Sequence, residues 1–317
     1  MSIAEKSSVY KYIFGPVLSR RLGVSLGVDL VPHKTCTLDC IYCECGKTTD
    51  KTLKRAEYVS VELVKEELRD FLSSRPHLDF ITFSGSGEPT LHSGIEEIAK
   101  FLKIEYPQYK TALLSNGTLF FMPELRKEVL EIDLLKVSMD AGSEENFIKI
   151  NRPHGELNFL RIMDGLLSLK KEYNKKFLVE FFIVPGINES NDELLKLKKS
   201  FNIIKPDSIY LNTIDRPGTK KWIKPASLET LKRVKECFGK ENIMQECYSR
   251  QHAAGPVKAY YKRLLTTIKR RPLTAGEISK MSGINLDDLL IELDSLIKKG
   301  EIVKREMPNG IFFVRKE

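Results

Sequence analysis

Apolar positions recur along the first two thirds of the chain in two alternating rhythms. Short apolar runs, VSLGVDLV (24–31), LDFITFSG (78–85), TALLS (111–115), LLKVSMD (134–140), FLVEFFIV (177–184) and SIYLN (208–212), read as strands. Between them, segments over 59–72, 94–104, 123–131, 158–173 and 190–201 carry apolar residues at helical spacing. Six strands alternating with helices predict an α/β fold whose parallel strands are joined by right-handed crossovers, either curled into a full or partial barrel or left as an open sheet. Functional loops in a barrel of this kind gather at the C-terminal ends of the strands.

The alternation then stops. Beyond an irregular stretch over 239–257, a helix over 258–270 precedes TAGEISKMSG, INLDDLLIELDSLIKKG and the pair EIVKRE and GIFFVRK around PNG. Three helices and a hairpin in that order predict a small C-terminal winged helix-turn-helix. The expected organisation is a barrel domain over 1–238, a linker over 239–257 and a winged-helix-like domain over 258–317. This last segment holds 13 Lys and Arg against 8 Asp and Glu. Its would-be recognition helix nevertheless carries Asp287, Asp288, Glu292 and Asp294, with Lys298 and Lys299 only at the far end. Carboxylates repel phosphates, so sequence-specific DNA binding is not expected and a docking or substrate-presenting role fits better. Lys304 and Arg305 in the wing remain available for non-specific contact.

Composition adds less. A hydrophobic fraction of 42% and a charged fraction of 30% describe a folded globular chain. Nothing approaches the roughly 18 consecutive apolar residues of a membrane span, and MSIAEKSSVYKY is no signal peptide, so no membrane partner and a cytoplasmic location are expected. The net charge of +8 permits phosphate-rich partners. Four of the six cysteines crowd into residues 36–45, which suits a metal site in a reducing compartment rather than a set of disulfides.

Cys36-Thr-Leu-Asp-Cys40-Ile-Tyr-Cys43 places three thiols within eight residues on the loop after the first predicted strand. Three ligands can hold one face of an iron–sulfur cubane and leave one iron open, and the spacing is not that of structural zinc sites. This C-x3-C-x2-C pattern with Tyr42 before the last cysteine resembles the hallmark of the radical S-adenosylmethionine superfamily. The resemblance implies a partial (β/α)6 barrel, a [4Fe-4S] cluster on Cys36, Cys40 and Cys43, and S-adenosyl-L-methionine on the open iron, cleaved reductively to a 5′-deoxyadenosyl radical. It implies a low-potential electron donor such as flavodoxin or ferredoxin. Ser84-Gly85-Ser86-Gly87-Glu88-Pro89 is similar to the family's G-G-E motif and would set Gly85, Gly87 and Glu88 about the methionine amino group, with Ser86, also a cofactor-binding candidate, interrupting the usual glycine pair. Asn116, Ser138 and Asp140, at the ends of the third and fourth strands, are candidates for the ribose and carboxylate. Arg152 of Asn151-Arg152-Pro153-His154 is a candidate for the cofactor carboxylate or a substrate phosphate, and Val184-Pro185-Gly186-Ile187-Asn188 is similar to the adenine-contacting stretch. Cys45 has no counterpart among the family's ligands, and Cys237 and Cys247 read as non-ligands.

The run Phe14-Gly15-Pro16-Val17-Leu18-Ser19-Arg20-Arg21-Leu22-Gly23, with Thr82 to Thr90, resembles the branch related to wyosine-forming tRNA synthases over roughly residues 10–215. That branch carries a second cluster on cysteines upstream of the triplet, and residues 1–35 here contain none. Wyosine synthesis is therefore not expected. The sequence favours a radical enzyme acting on a macromolecule, RNA or tRNA foremost and a peptide or protein as the alternative. A cluster-bearing redox sensor that regulates transcription through the winged helix is the competing class. Arg20, Arg21, Arg152, Asn212 and Arg216 are candidate substrate-facing groups, and no residue is assigned a catalytic proton or radical role.

Overall fold

The computed structural model describes residues 10–19, 22–244 and 257–316, with side chains described from Arg263 onward in the last stretch. Arg20, Arg21, Cys247 and residues 245–256 of the expected linker lie outside the described residues.

The chain opens with β1 (Ile13–Ser19) and β2 (Gly23–Val28), and a short parallel ribbon of β3 (Thr35–Cys36) and β4 (Asp50–Lys51) frames the cysteine loop. There follow α1 (Val61–Leu72), β5 (Phe80–Phe83), α2 (Ile95–Glu105), β6 (Lys110–Ser115), α3 (Pro123–Glu128), β7 (Leu134–Ser138), α4 (Glu144–Asn151) and α5 (Phe159–Glu172). Then come β8 (Lys176–Ile183), α6 (Asn191–Ile204), β9 (Ser208–Thr213) and α7 (Leu228–Phe238). Seven strands form one curled half-barrel sheet in the order β1-β2-β5-β6-β7-β8-β9, antiparallel only at β1–β2.

The strand pleat sorts the side chains. Phe177, Val179 and Phe181 of β8 join the large core under the helices, whereas Leu178 joins Ala112 and Leu134 on the concave side. On the helix side the partner surface is built the same way: α1 buries Val61, Val64, Leu68, Phe71 and Leu72, and its first turn is closed by Ser60, whose Oγ accepts from the Leu63 amide. The edge strand β1 went unanticipated because Pro16 interrupts its pattern. Its pairing with β2 shifts register between Phe14 and Val17, where a residue without an N–H does least harm.

The C-terminal residues form α8 (Val257–Arg270), β10 (Leu273–Thr274), α9 (Ala275–Ser282), α10 (Leu286–Lys298), β11 (Ile302–Met307) and β12 (Gly310–Arg315), the strands ordered β10-β12-β11. A capping box between Thr274 and Glu277 starts α9, and Gly283 at φ 72° ends it. Leu264, Ile268, Ile278, Met281, Leu289, Leu293 and Phe313 make a separate core that takes in Val17 of β1. Polar contacts fasten this unit to the half-barrel: Arg270 Nε to Asp29 Oδ2 at 2.7 Å, Arg216 Nη2 to Glu277 Oε1 at 2.6 Å, and Asn309 Nδ2 to the Asp215 carbonyl at 2.8 Å. Among the described residues no helix is long and apolar enough to cross a membrane.

Candidate active site

The segment after β2 is moulded by two neighbouring loops. The Lys34 amide donates to Ser86 O (3.1 Å) and the Glu88 amide to Thr35 O (3.1 Å), so the cysteine loop and the turn after β5 are laced together. A Cβ on Gly87 would fall 2.1 Å from Thr35 O, and one on Gly85 2.2 Å from the Asp29 carboxyl, which is why glycines stand there. On the other flank, the Asp39 and Ile41 amides donate to the carbonyls of Asn151 and Ile150, and the His154 amide to Thr37 O.

Held in this way, each thiol of the triplet meets its own N–H donor from a different part of the chain. Asn116 Nδ2 lies 3.6 Å from Cys36 Sγ, Asn151 Nδ2 3.4 Å from Cys40 Sγ, and Lys34 Nζ 3.1 Å from Cys43 Sγ. Hydrogen bonds to sulfur stabilise a thiolate and tune a cluster. Among the described residues no three His, Cys, Asp or Glu side chains close on one metal-ion position. Three cysteines on one loop, each with its own N–H donor to the sulfur, fit an iron–sulfur cluster. The Cys45 hydrogen bond, with the Lys34 ammonium, brings the Cys43 thiol down to about 5, whereas burial and Glu88 push Cys36 up to about 12 and burial with Asp140 raises Cys40. Burial opposes the charge on Lys34, but Cys43, Cys36 and Cys45 outweigh it and raise its pKa. Lys34→Met is expected to give a reconstituted cluster with a more negative midpoint potential, because a cation beside the sulfur favours the reduced, more negative state; an unchanged potential in an anaerobic redox titration refutes that role.

Glu88 is 2% exposed, and its carboxylate accepts from the Thr90 amide and hydroxyl, Ser115 Oγ (2.7 Å) and the Asn116 amide (2.7 Å). It braces the end of β5 against the end of β6. Burial raises its pKa against those hydrogen bonds. Asn116 is thereby set to donate to Thr37 Oγ1 (2.8 Å) as well as to Cys36. Asp140 accepts from Tyr42 Oη (2.5 Å), Asn151 Nδ2 (2.7 Å) and the Phe182 amide (3.0 Å), while burial lifts its pKa to about 6. The Tyr42 ring stacks on Phe182 at 3.9 Å. Asn188 donates to Asp140 O and Phe182 O and accepts from the Val184 amide, locking the turn after β8.

Tyr42, Asn116, Ser138, Asp140 and Asn151 border one small cavity of about 30 Å³. Ser138 Oγ there has no hydrogen-bond partner among the described residues, and Leu38 and Tyr42 of the cysteine loop line the same cavity. On the concave side lies a cavity of about 330 Å³ bordered by Tyr42, Cys43, Cys45, Ser84, Gly85, Glu180, Asn212, Arg216, Arg270 and Arg271. Two candidates fall elsewhere or are already engaged. Arg152, in a left-handed conformation (φ 48°), pairs with Asp39 at 3.2 Å, and Arg216 is 6% exposed in its ion pair with Glu277. Sequence reasoning missed Lys34 and Asp29. The signals were a lysine two places before the first cysteine and an acid inside an apolar strand run, both of which require a partner when buried.

The curled sheet, the open-sided thiol triplet and the polar strand ends define a class. The family model described as the Radical SAM superfamily matches residues 30–200, more than half of the chain, and the chain belongs to that superfamily. Its particular kin are the UPF0026 proteins: it is 34% identical over 294 residues to the one from Helicobacter pylori (strain J99), covering 90% of this chain and 94% of that one. It is also 32% identical over 306 residues to a Brachyspira hyodysenteriae protein named GTPase Obg; the match covers 95% of this chain, which spans 44% of that relative's length. The fold is similar to that of a radical SAM methyltransferase from Sphaerobacter thermophilus, with TM-score 0.56 and 18% identity over 72% of this chain and 67% of that one. As a radical SAM enzyme it uses a [4Fe-4S] cluster and S-adenosyl-L-methionine.

Proposed function

We propose that the chain initiates radical chemistry on a macromolecular substrate, with an RNA base favoured, Cys36, Cys40 and Cys43 holding three irons and adenosylmethionine taking the fourth. The observation that carries this is the set of three sulfurs, each with a separate N–H donor, on a loop whose Cys43 borders the 330 Å³ cavity and whose Tyr42 borders both that cavity and the one at Ser138. The bound groups supply reductive cleavage of a sulfonium to methionine and a hydrogen-abstracting 5′-deoxyadenosyl radical. The chain's own residues position and exclude. Ser138, Asn116 and the Asp140–Asn151 pair would orient the nucleoside end, Gly85 and Ser86 would let backbone approach the methionine end, and Tyr42 stacked on Phe182 would separate cofactor from substrate.

A cavity near the low end of the ~300–1,000 Å³ range of ligand sites admits one base or side chain, so a large substrate would present only its reacting part. The +8 charge suits an anionic substrate such as RNA. We read the C-terminal unit, 258–317, as a winged-helix-like domain appended to the barrel domain, 1–238, and used for docking. Lys304 is taken by Asp294 at 3.1 Å, and Asp287 and Asp288 occupy the start of α10, which disfavours operator binding. A flavodoxin or ferredoxin would supply the electron in the cytoplasm.

The test is anaerobic reconstitution with iron and sulfide, dithionite reduction with adenosylmethionine, and chromatographic detection of 5′-deoxyadenosine. Its formation in proportion to loaded cluster is expected. A fully loaded, reduced cluster that leaves adenosylmethionine intact would refute the enzyme and favour the redox sensor.

A further inference from the structure

On the far side of Arg270 from the reaction cavity lies a second pocket, of about 430 Å³, where the N-terminal strand, the cysteine loop and the C-terminal unit meet. Lys11, His33, Tyr58, Lys269, Arg270 and Arg315 line it, together with Tyr12 and Asp29. Asp29 is the only acid among the lining residues, and it is already engaged by Arg270 Nε (2.7 Å), Ser86 Oγ (2.9 Å) and the Ser86 amide. Lys269 is paired with Glu301 at 3.1 Å. The Lys11 ammonium and the Arg315 guanidinium, by contrast, have no hydrogen-bond or ion-pair partner among the described residues, and Lys11 Nζ stands 5.3 Å from the centre of the Tyr12 ring. Two cations with no such partner among the described residues thus line the same space. Burial first, then Arg315 and Lys34, hold the neighbouring His33 down to about 4, against the pull of Asp29.

We infer that this pocket is a phosphodiester site for an RNA strand whose neighbouring base enters the 330 Å³ cavity, with Arg270 as the shared wall. The inference rests on the RNA reading above and adds the anchor to it. Lys11 and Arg315 supply the charge, and Tyr12 and Tyr58 supply faces on which a flanking base can stack. An acidic peptide would use the cations but has no need of the aromatic faces. Because α8 and β12 contribute Arg270 and Arg315, the site exists only while the C-terminal unit is docked, which gives that unit a direct part in substrate recognition.

The experiment measures fluorescence anisotropy of a labelled RNA stem-loop on the cluster-loaded full chain across a salt series, comparing wild type with Lys11→Glu/Arg315→Glu. Binding is expected to weaken by about tenfold or more, and the slope of log affinity against log salt to flatten by about 1.4, about 0.7 for each lost single-strand phosphate contact. Lys11→Arg should restore wild-type values, and Arg315→Gln alone should flatten the slope by about 0.7, a reading that stands if the double variant melts early. Equal affinity and slope in wild type and a normally melting double variant overturn the pocket while leaving the RNA reading in place. A wild type that binds no stem-loop at low salt overturns both.

Discussion

Cys40→Ala is expected to reduce anaerobically loaded iron to background and 5′-deoxyadenosine with it, whereas Cys45→Ser should load iron like the wild type. The two thiols differ in what they face. Cys40 Sγ receives the Asn151 amide at 3.4 Å, as a thiolate ligand would, while Cys45 Sγ donates its one S–H to Arg270 O at 3.2 Å, with Gly85 O a second carbonyl at 3.7 Å. A thiol that donates to a carbonyl is protonated. Metal ligation needs the thiolate, so Cys45 would have to give up its proton and its carbonyl acceptor to serve. Serine can make the same donation. Iron content and the optical spectrum of the loaded variants read the difference directly, and a Cys45→Ser protein without cluster would make Cys45 a ligand.

The parts legible in the sequence are those whose causes are local. Six parallel strands could be placed because strands buried on both faces read as continuous apolar runs, and the observed β8, Lys176–Ile183, nearly coincides with the run 177–184. The helix α4 escaped notice because it buries only Phe147, Ile150 and Asn151, too few to show a period, and α7 buries only Val234 and Phe238. The same division runs through the site. The cysteine spacing and the strand-end positions of Asn116, Ser138 and Asp140 are short-range facts. The Asn116–Cys36 and Asn151–Cys40 contacts, 80 and 111 residues apart in sequence, exist only once the sheet has curled. The Asp29–Arg270 pair spans 241 residues, and no local pattern in either segment announces it.

Asp29→Ala is expected to cost about 3–5 kcal/mol of unfolding free energy, the range for removing one partner of a buried ion pair. The carboxylate is on a residue 3% exposed, and its partner Arg270 is 15% exposed, so solvent screens the pair little. The alanine strands a guanidinium whose remaining hydrogen bonds go to neutral carbonyls, Lys11 O at 2.7 Å and Thr266 O at 3.3 Å, and it leaves the Ser86 hydroxyl without its 2.9 Å acceptor. By contrast, the half-exposed Lys103–Glu131 pair should contribute about 1 kcal/mol or less. Asp29→Asn keeps an acceptor for Ser86 without the charge and should fall between wild type and alanine. Urea unfolding of the variants, closed into a cycle with Arg270→Ala, isolates the pair: a coupling near zero would mean that the C-terminal unit is held by its other contacts, Arg216–Glu277, Asn309–Asp215 and the apolar packing at Val17. The loss should reach the cluster as well, because Ser86 O accepts from the Lys34 amide at 3.1 Å and Lys34 faces Cys43. An Asp29→Ala protein that is destabilised yet loads full iron would confine Asp29 to docking; one that loses both would show that the C-terminal unit and the cysteine loop are set by the same carboxylate.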